Sequence, residues 1–336
     1  MKKLFAWFLI LCMCISLASC ASSDPEKTAT TPVVGTTLSG EASESLPAET
    51  APAPTGPILY AVTDSQGNTI WLFGSIHVGR EEFFPLPDYV MDAYNEADAL
   101  AVEADIIAFE SNTVEATKLI MGTMYKDGTK VADHIPAELY DRAVEILREG
   151  GMYMPTMDMF HVYTWESTIQ ELAMKQLSCD ISLGIDRHLI QNAKDTGKTL
   201  LEVESVEFQF EILTGFSDEI NALSLASAID MYDDPEATDA QITELMDLWQ
   251  SGDEAAFAAY LKTEDDTMSP EEQTLYAQYM QVLQTDRNLT MTDWAEAALA
   301  EGGDVFICVG AAHVIGDGSI TDLLTQRGYT VERITG

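Results

Sequence analysis

Alternating apolar and polar positions open the folded part of the chain. Residues 58–63 and 69–76 are short runs rich in β-branched and aromatic side chains, and residues 64–68 between them have the composition of a turn, which predicts a β-hairpin. Residues 86–97 follow with the apolar spacing of a helix, and residues 99–102 form another short apolar run. The order strand, helix, strand predicts a sheet that is covered by helices.

Long amphipathic stretches dominate the rest of the chain. Their spacing predicts helices at residues 137–148, 165–175, 185–193, 207–213, 240–250, 254–261, 271–284 and 291–299. Residues 199–203 and 305–309 have the pattern of interior strands, and residues 329–334 that of a last strand. We therefore expect an α/β fold, in which helices flank a central, mostly parallel sheet that is interrupted by a large helical insertion.

The N-terminus has the organisation of an export signal. Two lysines precede an apolar run that is too short to span a bilayer, and residues 17–20 (Leu-Ala-Ser-Cys) resemble a bacterial lipobox. This predicts a lipoprotein signal peptide at residues 1–19 and lipidation at Cys20, so the protein would be a cell-membrane lipoprotein on the extracytoplasmic face, at the cell surface or in the periplasm. The alternative is an ordinary secretory signal that ends near a cysteine.

Residues 20–57 are mostly Ser, Thr, Ala, Pro and Glu. Such a segment has too few large apolar side chains to offset the entropy of ordering, so we predict a disordered tether. The folded domain is then expected at residues 58–336.

Charge and cysteine content exclude several classes of protein. The chain has 17 Lys and Arg against 56 Asp and Glu, a formal charge of −39, and it lacks the basic clusters that nucleic-acid binding requires. Only Cys179 and Cys308 lie in the body of the protein, beyond the signal and its terminal Cys20, so there is no disulfide framework. The sequence also contains no H-E-x-x-H, G-x-S-x-G or Walker-type motif.

One short string occurs twice, each time at the end of a predicted strand. Gly74 begins G-S-I-H-V, which contains His77, and Gly310 begins G-A-A-H-V, which contains His313. Glycine permits a tight turn and close approach, and ligands of open α/β sheets bind at the carboxyl ends of strands. Two imidazoles delivered to one edge would suit a divalent metal, a general base or both. The alternative is a pair of structural histidines that cap strands.

Acidic and basic residues near the predicted strand ends are candidates for the same site. Glu103 and Glu204 each follow a strand, so one would complete the metal site with His77 and His313 while the other acts as general base. Arg287 would stabilise an oxyanion or bind substrate, together with Asn288. The alternatives are exposed acids and an arginine paired with surface acids.

The two motifs also resemble those of a known family. The G-x-x-H pair, the string Ala-Leu-Ala-Val-Glu at residues 99–103 and the stretches Gly-Ile-Asp at 184–186 and Asp-Arg-Asn at 286–288 are similar to the TraB/GumN family, which is related to the Tiki proteases. The resemblance implies a fold shared with erythromycin-esterase-like and haem-binding ChaN-like proteins. It also implies metal-dependent peptide hydrolysis, with Mn, Co or Zn as the divalent ion. The second motif departs from the family pattern, since it continues Val-Ile-Gly-Asp-Gly at residues 314–318, where the family suggests a leucine after the histidine and a proline before the glycine.

Two functions remain open from the sequence. One is a metal-dependent hydrolase that acts on a peptide or small molecule. The other is a non-enzymatic lipoprotein that holds a peptide pheromone or haem in the same cleft, because one scaffold can host both.

Other candidate residues carry weaker signals. His134, His161 and His188 do not follow predicted strands, so we expect ordinary packed or exposed roles. Four methionines between residues 152 and 159 resemble a soft-metal motif, but we expect them to fill gaps in the core.

The lipidation hypothesis predicts a covalent label on the protein. In cells fed a clickable fatty acid, the wild-type protein should carry the label, and Cys20→Ala should abolish it and release the protein from the membrane fraction. Several acyl chains are needed for stable attachment, since one chain alone anchors only marginally. An unlabelled wild-type protein would contradict the anchor.

Overall fold

The computed structural model describes residues 56–262 and 267–336. The predicted signal peptide, Cys20 and most of the predicted tether lie outside the described residues.

Six strands form one mixed sheet in the described part of the chain. They are β1 (Leu59–Thr63), β2 (Thr69–Ser75), β3 (Ala99–Val102), β4 (Thr199–Glu202), β5 (Val305–Gly310) and β6 (Thr330–Ile334). Their order is β4-β3-β5-β2-β1-β6; β1 is antiparallel to β2 and β6, whereas β2, β5, β3 and β4 run parallel. The predicted α/β fold with a mostly parallel sheet is confirmed, and β1 and β2 form the predicted hairpin.

Helices surround this sheet and form the insertions between its strands. They are α1 (Asp88–Glu96), α2 (Ile106–Ser111), α3 (Thr113–Gly122), α4 (Ala137–Glu149), α5 (Val162–Met174), α6 (Ile185–Thr196), α7 (Val206–Thr214), α8 (Asp218–Asp233), α9 (Pro235–Ser251), α10 (Glu254–Leu261), α11 (Pro270–Met280), α12 (Arg287–Ala300), α13 (Ala311–Val314) and α14 (Ile320–Gln326). A π-helical segment, Gln281–Asp286, joins α11 to α12.

The hairpin turn is held by one aspartate. The Asp64 carboxylate accepts hydrogen bonds from the backbone N–H groups of Gln66 and Asn68, at 2.8 and 2.9 Å. Gly67 adopts φ = +91°, which favours glycine. These contacts close the turn that connects β1 to β2 and so fix the direction of the strand that leads to His77.

Helix α8 is a long helix that the apolar pattern does not reveal. Its buried residues include Ile220, Ser224, Ala228 and Met231, and they are not confined to one narrow stripe. A helix that is covered on most sides lacks the single apolar face on which sequence prediction depends. It packs against α5 and forms the centre of the helical insertion.

The prediction of an interior strand at residues 199–203 is wrong. Strand β4 is paired only with β3, at one edge of the sheet, and three of its four residues are exposed. Its adjacent leucines, Leu200 and Leu201, gave it the composition of a buried strand, but burial depends on what covers the sheet edge. Strand β6, the last strand of the predicted set, lies at the opposite edge.

The methionine-rich segment is mostly a surface feature. Met157 is buried, as core packing predicts, but Met152, Met154 and Met159 are 38%, 62% and 38% exposed. The gap-filling prediction is therefore wrong for these three, because Met159 belongs to a short 3-10 helix on the surface, residues 155–159, and Met152 and Met154 lie in the exposed segment before it. Within the described ranges, no helix is both long and apolar enough to cross a membrane.

One tryptophan connects the helical layer to the strand that carries the first motif. Trp249 on α9 is buried, packs against Phe73 and Phe83, and donates from Nε1 to the Gly74 carbonyl oxygen at 2.8 Å. Removing the donor leaves a buried carbonyl without that partner.

Replacing this tryptophan should destabilise the fold more than replacing one at the rim of the core. Trp249→Phe should lower the free energy of unfolding by about 1–3 kcal/mol, since the buried Gly74 carbonyl loses its hydrogen bond. Trp294→Phe is the matched control, because Trp294 is only partly buried. Denaturant unfolding checks both variants, and equal losses would contradict the role of this hydrogen bond.

Candidate functional site

The two G-x-x-H strings lie side by side at the carboxyl edge of the sheet. Strands β2 and β5 are adjacent and parallel, and Ser75 is opposite Gly310 in their register. A Cβ at Gly74 would lie 3.0 Å from the Ala311 Cα, so glycine permits the second string to pack against the first. Both histidines are buried, at 6% exposure for His77 and 0% for His313.

An aspartate at the start of α6 holds the first histidine. Nδ1 of His77 lies 2.9 Å from Oδ2 of Asp186. The helix meets the motif directly, because the Ile185 N–H donates to the Ile76 carbonyl at 2.9 Å. A Cβ at Gly184 would lie 2.7 Å from the His77 carbonyl oxygen, so this approach requires glycine.

An asparagine at the start of α12 holds the second histidine. Nδ1 of His313 lies 2.6 Å from Oδ1 of Asn288, and Nδ2 of Asn288 donates to the Gly318 carbonyl oxygen at 2.8 Å. Nε2 of His313 is buried and has no hydrogen-bond partner among the described residues. A buried polar atom without a partner is rare, and this one could accept a hydrogen bond or bind an ion.

A buried guanidinium joins the two predicted glutamates. Arg287 donates from Nη2 to Glu103 at 2.6 Å and to Glu204 at 2.8 Å, and from Nε to Glu204 at 2.9 Å. The two glutamates are neighbours because the parallel pairing continues past the strands, with the Glu204 N–H donating to the Glu103 carbonyl at 2.9 Å. Gln209 donates to both carboxylates, and the Gly310 N–H donates to Oε1 of Glu103 at 2.8 Å.

These contacts shift the protonation equilibria of the cluster. Burial alone raises the pKa of Glu103, but the charge of Arg287 and the Gly310 hydrogen bond hold it below its ordinary value. Burial and the charge of Arg287 lower the pKa of His313 to about 3, against an opposing effect of Glu103. Burial lowers the pKa of Arg287, but the carboxylates of Glu103 and Glu204 raise it by more. The net pKa is above its ordinary value, so the arginine stays charged. The site therefore holds a neutral His313 beside an ionised Glu103.

We use the term paired-histidine site for His77, His313, Glu103, Glu204 and Arg287. The structure brings together every residue that the sequence nominated for catalysis, metal binding or substrate binding, including Asn288. Their contacts differ from the predicted ones in one respect: Arg287 donates to buried acids and Asn288 to a backbone carbonyl, so the side chains already have partners within the protein. Their predicted roles toward substrate stay predictions.

A small pocket opens onto the site. Its cavity volume is about 10 Å³, which is the space of about one water molecule, and its lining includes Ser75, His77, Glu103, Asp186, Gln209 and Cys308. Glu204, Arg287 and His313 are not among the lining residues. The Ser75 hydroxyl is buried and has no hydrogen-bond partner in the described structure.

Sequence reasoning did not nominate Ser75, Asp186 or Gln209 as site residues. Ser75 is part of the first motif string, and Asp186 belongs to a stretch that carries the family resemblance. Membership in these stretches was the sequence signal that could have nominated both residues. Their contacts with the site depend on tertiary packing between distant segments.

The other three histidines lie elsewhere. His161 caps α5 by accepting from the Tyr163 N–H at 3.1 Å, His134 stacks on Tyr125, and His188 packs against Phe84. None of the three lines the pocket.

The residues present fit a divalent cation in part. Asp186, Glu103 and Glu204 oppose a single guanidinium, which leaves a formal surplus of two negative charges around two imidazoles, and the unpartnered Nε2 of His313 is a suitable ligand atom. The described residues contain no group of three or more His, Cys, Asp or Glu side chains arranged to hold a metal. The imidazoles and the charge therefore fit the ion, whereas Glu103 and Glu204 are bonded to Arg287 and Gln209.

Comparisons with known proteins agree on one family. The model of the TraB/PrgY/gumN family matches residues 58–333. Uncharacterized protein YbaP of Escherichia coli (strain K12) is 26% identical over 254 residues, which cover 75% of this chain and 86% of the relative, and YbaP of Shigella flexneri gives the same values. An uncharacterized protein of Treponema pallidum (strain Nichols) is 21% identical over 276 residues, 80% of each chain. No solved structure matches the chain.

Removing the guanidinium should destabilise the fold in a pH-dependent way. Arg287→Met leaves two buried carboxylates without their counter-charge and should cost about 3–5 kcal/mol at pH 7. The depressed pKa of Glu103 in the folded wild type contributes stability above the ordinary carboxyl pKa of about 4.3, and this contribution is lost as the pH falls below it. The difference in free energy of unfolding between the wild type and Arg287→Met should therefore shrink as the pH falls through about 4.

The matched control for this prediction is a surface arginine that also contacts two acids. Arg327 pairs with Asp293 and Glu296 in a largely exposed setting, so Arg327→Met should cost about 1 kcal/mol or less. Denaturant unfolding between pH 3 and 7 measures both variants. A deficit for Arg287→Met that does not exceed the control, or does not change with pH, would contradict the buried-pair account.

Proposed function

The chain belongs to the TraB/PrgY/gumN family, and from this premise we propose that the paired-histidine site is the centre of a metal-dependent hydrolase with peptides as its substrate class. We further propose that the enzyme is a lipoprotein, anchored through Cys20 and exposed on the extracytoplasmic face of the membrane. The peptide class rests on the resemblance of the two motifs to those of the Tiki branch.

The observation that carries the proposal is the convergence of two imidazoles and an ionised carboxylate at one buried edge. His77 and His313 follow adjacent strands, and Glu103 follows the strand on the other side of β5. Structural histidines that cap strands would have no need of a buried, unpartnered Nε2 or of a surplus of negative charge. Both features support a site for a cation.

Each residue has a role that its contacts support. His77 and His313 would hold the cation, which supplies Lewis-acid activation of water and of the scissile carbonyl when it is bound. Glu103 lines the pocket, and its lowered pKa makes it a weak proton acceptor near neutral pH and a suitable neighbour for a cation. Glu204 lies outside the pocket lining and balances the charge of Arg287.

The pocket size favours hydrolysis over ligand storage. Pockets that hold drug-sized ligands occupy roughly 300–1,000 Å³, whereas this cavity has a volume of about 10 Å³, which is the space of about one water molecule. A binding lipoprotein must enclose much of a haem or a peptide, but a hydrolase needs only the reacting bond to reach the site. The binding function remains the alternative that the experiment below distinguishes.

Metal content and peptide cleavage test the proposal together. Protein purified without chelator should contain a divalent metal, and it should cleave a mixture of fluorogenic peptides in the presence of Mn²⁺, Co²⁺ or Zn²⁺. His77→Ala and His313→Ala should each lose the metal and reduce cleavage by roughly two orders of magnitude or more. The double variant should be little worse than either single one, because residues that act as a unit are non-additive.

His188→Ala is the matched control, since His188 lies within α6 and packs against Phe84 rather than following a strand, and it should keep both metal and activity. Glu103→Gln and Glu204→Gln separate the glutamates, because loss of a ligand removes metal whereas loss of a base keeps metal and lowers the rate. Cleavage that survives in the double histidine variant would contradict the proposal. Tight binding of haem or a peptide without metal or cleavage would instead favour the binding function.

A further inference from the structure

The two motif histidines share an arrangement that the strand positions alone do not require. Each presents Nδ1 to an acceptor on a separate helix, Asp186 at the start of α6 or Asn288 at the start of α12. A neutral imidazole carries one N–H proton, on either Nδ1 or Nε2. The hydrogen bond that one nitrogen makes therefore decides whether the other nitrogen carries the proton.

The acceptor for the first histidine is unambiguous. A carboxylate oxygen of Asp186 accepts but cannot donate when ionised, so the proton in the 2.9 Å contact belongs to Nδ1 of His77. The helix that carries Asp186 is fixed against the motif by the Ile185 N–H and by the close approach at Gly184. These backbone contacts of α6 therefore fix the position of Asp186 relative to His77.

The acceptor for the second histidine is fixed by a second hydrogen bond. An asparagine amide can present either its oxygen or its nitrogen, but Nδ2 of Asn288 donates to the Gly318 carbonyl at 2.8 Å. The amide oxygen is therefore the atom that lies 2.6 Å from Nδ1 of His313, and the proton belongs to that nitrogen. The asparagine is 2% exposed, so water does not replace these partners.

The π-helical segment before α12 accounts for the position of this asparagine. A π-turn shifts the register of the side chains that follow it, and such turns are frequent at functional sites. Gln284 within the segment donates to the Ala312 carbonyl at 2.9 Å, while Arg287 reaches Glu103 and Asn288 reaches His313. Two side chains of this short stretch thus contact the second motif directly, and Arg287 is connected to it through Glu103, which accepts from the Gly310 N–H.

We propose that Asp186 and Asn288 are positioning residues that hold His77 and His313 in the same tautomer, with the proton on Nδ1 and the lone pair on Nε2. The duplicated motif is thereby matched by a duplicated support, one orienting side chain for each imidazole. The identity of the Lewis acid that the two Nε2 atoms would meet rests on the proposed function, but the tautomers do not. Partners of this kind in metal sites fix the ring and raise its basicity, and losing one costs roughly 10- to 100-fold in metal affinity.

Nitrogen-15 spectra of the histidine side chains test the tautomers directly. The chain has five histidines, so protein labelled with ¹⁵N-histidine gives few signals, and single His→Gln variants assign them. In full-length protein stripped of metal, at a pH of about 8, His77 and His313 should each show a protonated Nδ1 and an unprotonated Nε2. His161 is the internal control with the opposite tautomer, because the Tyr163 N–H donates to its Nδ1.

Variants of the two supports should act on one ring each. Asn288→Ala should move His313 toward the Nε2–H tautomer and leave His77 and His161 unchanged. Asp186→Ala should move His77 toward the Nε2–H tautomer and leave His313 and His161 unchanged. Asn288→Asp and Asp186→Asn retain an oxygen acceptor and should preserve the Nδ1–H tautomer. Thr290→Ala, an exposed position on α12, is the matched control and should change neither ring.

Titration with Mn²⁺, Co²⁺ or Zn²⁺ adds a second measurement. Asn288→Ala and Asp186→Ala should weaken binding by roughly 10- to 100-fold, with recovery in the variants that keep an acceptor. A protonated Nε2 on either ring of the wild type, or tautomers that do not respond to the alanine variants, would overturn the proposal; the wild-type spectrum decides if a variant fails to fold. Expected tautomers without any cation binding would support the positioning roles and contradict the metal-dependent function.

Discussion

A single buried guanidinium connects the segments that form the carboxyl edge of the sheet. Arg287 bonds to Glu103 beyond β3, to Glu204 beyond β4 and to the Leu283 carbonyl in the π-helical segment, and Glu103 in turn accepts from the Gly310 N–H at the end of β5. A buried charge is tolerated only with partners, so each acid requires the arginine as much as the arginine requires the acids. The position of both histidines relative to Glu103 depends on this cluster, because it holds the strand ends together.

The surroundings of the cluster explain how a buried site holds an ionised carboxylate beside a neutral imidazole. Arg287 keeps Glu103 ionised, and burial together with the charge of Arg287 keeps His313 neutral, so the edge combines negative charge with a neutral imidazole. Two helices that start at this edge bring Asp186 and Asn288 to the rings. The sheet thus positions the histidines, and the helices orient them. This arrangement fits a cation-binding centre better than it fits a pair of histidines that only cap strands.

The sequence predicted the parts of this arrangement that depend on local order. Two glycine-histidine strings that close apolar strands imply two imidazoles at a strand end, and turn chemistry at residues 64–68 predicts the hairpin before the first. Other features depend on contacts between distant segments. The edge position of β4, the burial of α8 on most sides and the reach of Asp186 to His77 follow from tertiary packing, which apolar periodicity does not encode. The π-turn that directs Asn288 likewise leaves no mark in the apolar pattern.

Anomalous diffraction from crystals soaked with Mn²⁺, Co²⁺ or Zn²⁺ would test the central claim most directly. The account predicts one anomalous peak between His77 and His313, within about 2.0–2.2 Å of Nε2 of both imidazoles if the ion is zinc. The Nδ1 contacts with Asp186 and Asn288 should be unchanged in that structure. A fully occupied ion elsewhere, with both Nε2 atoms bonded only to protein or water, would contradict the claim that the duplicated motif forms one metal centre.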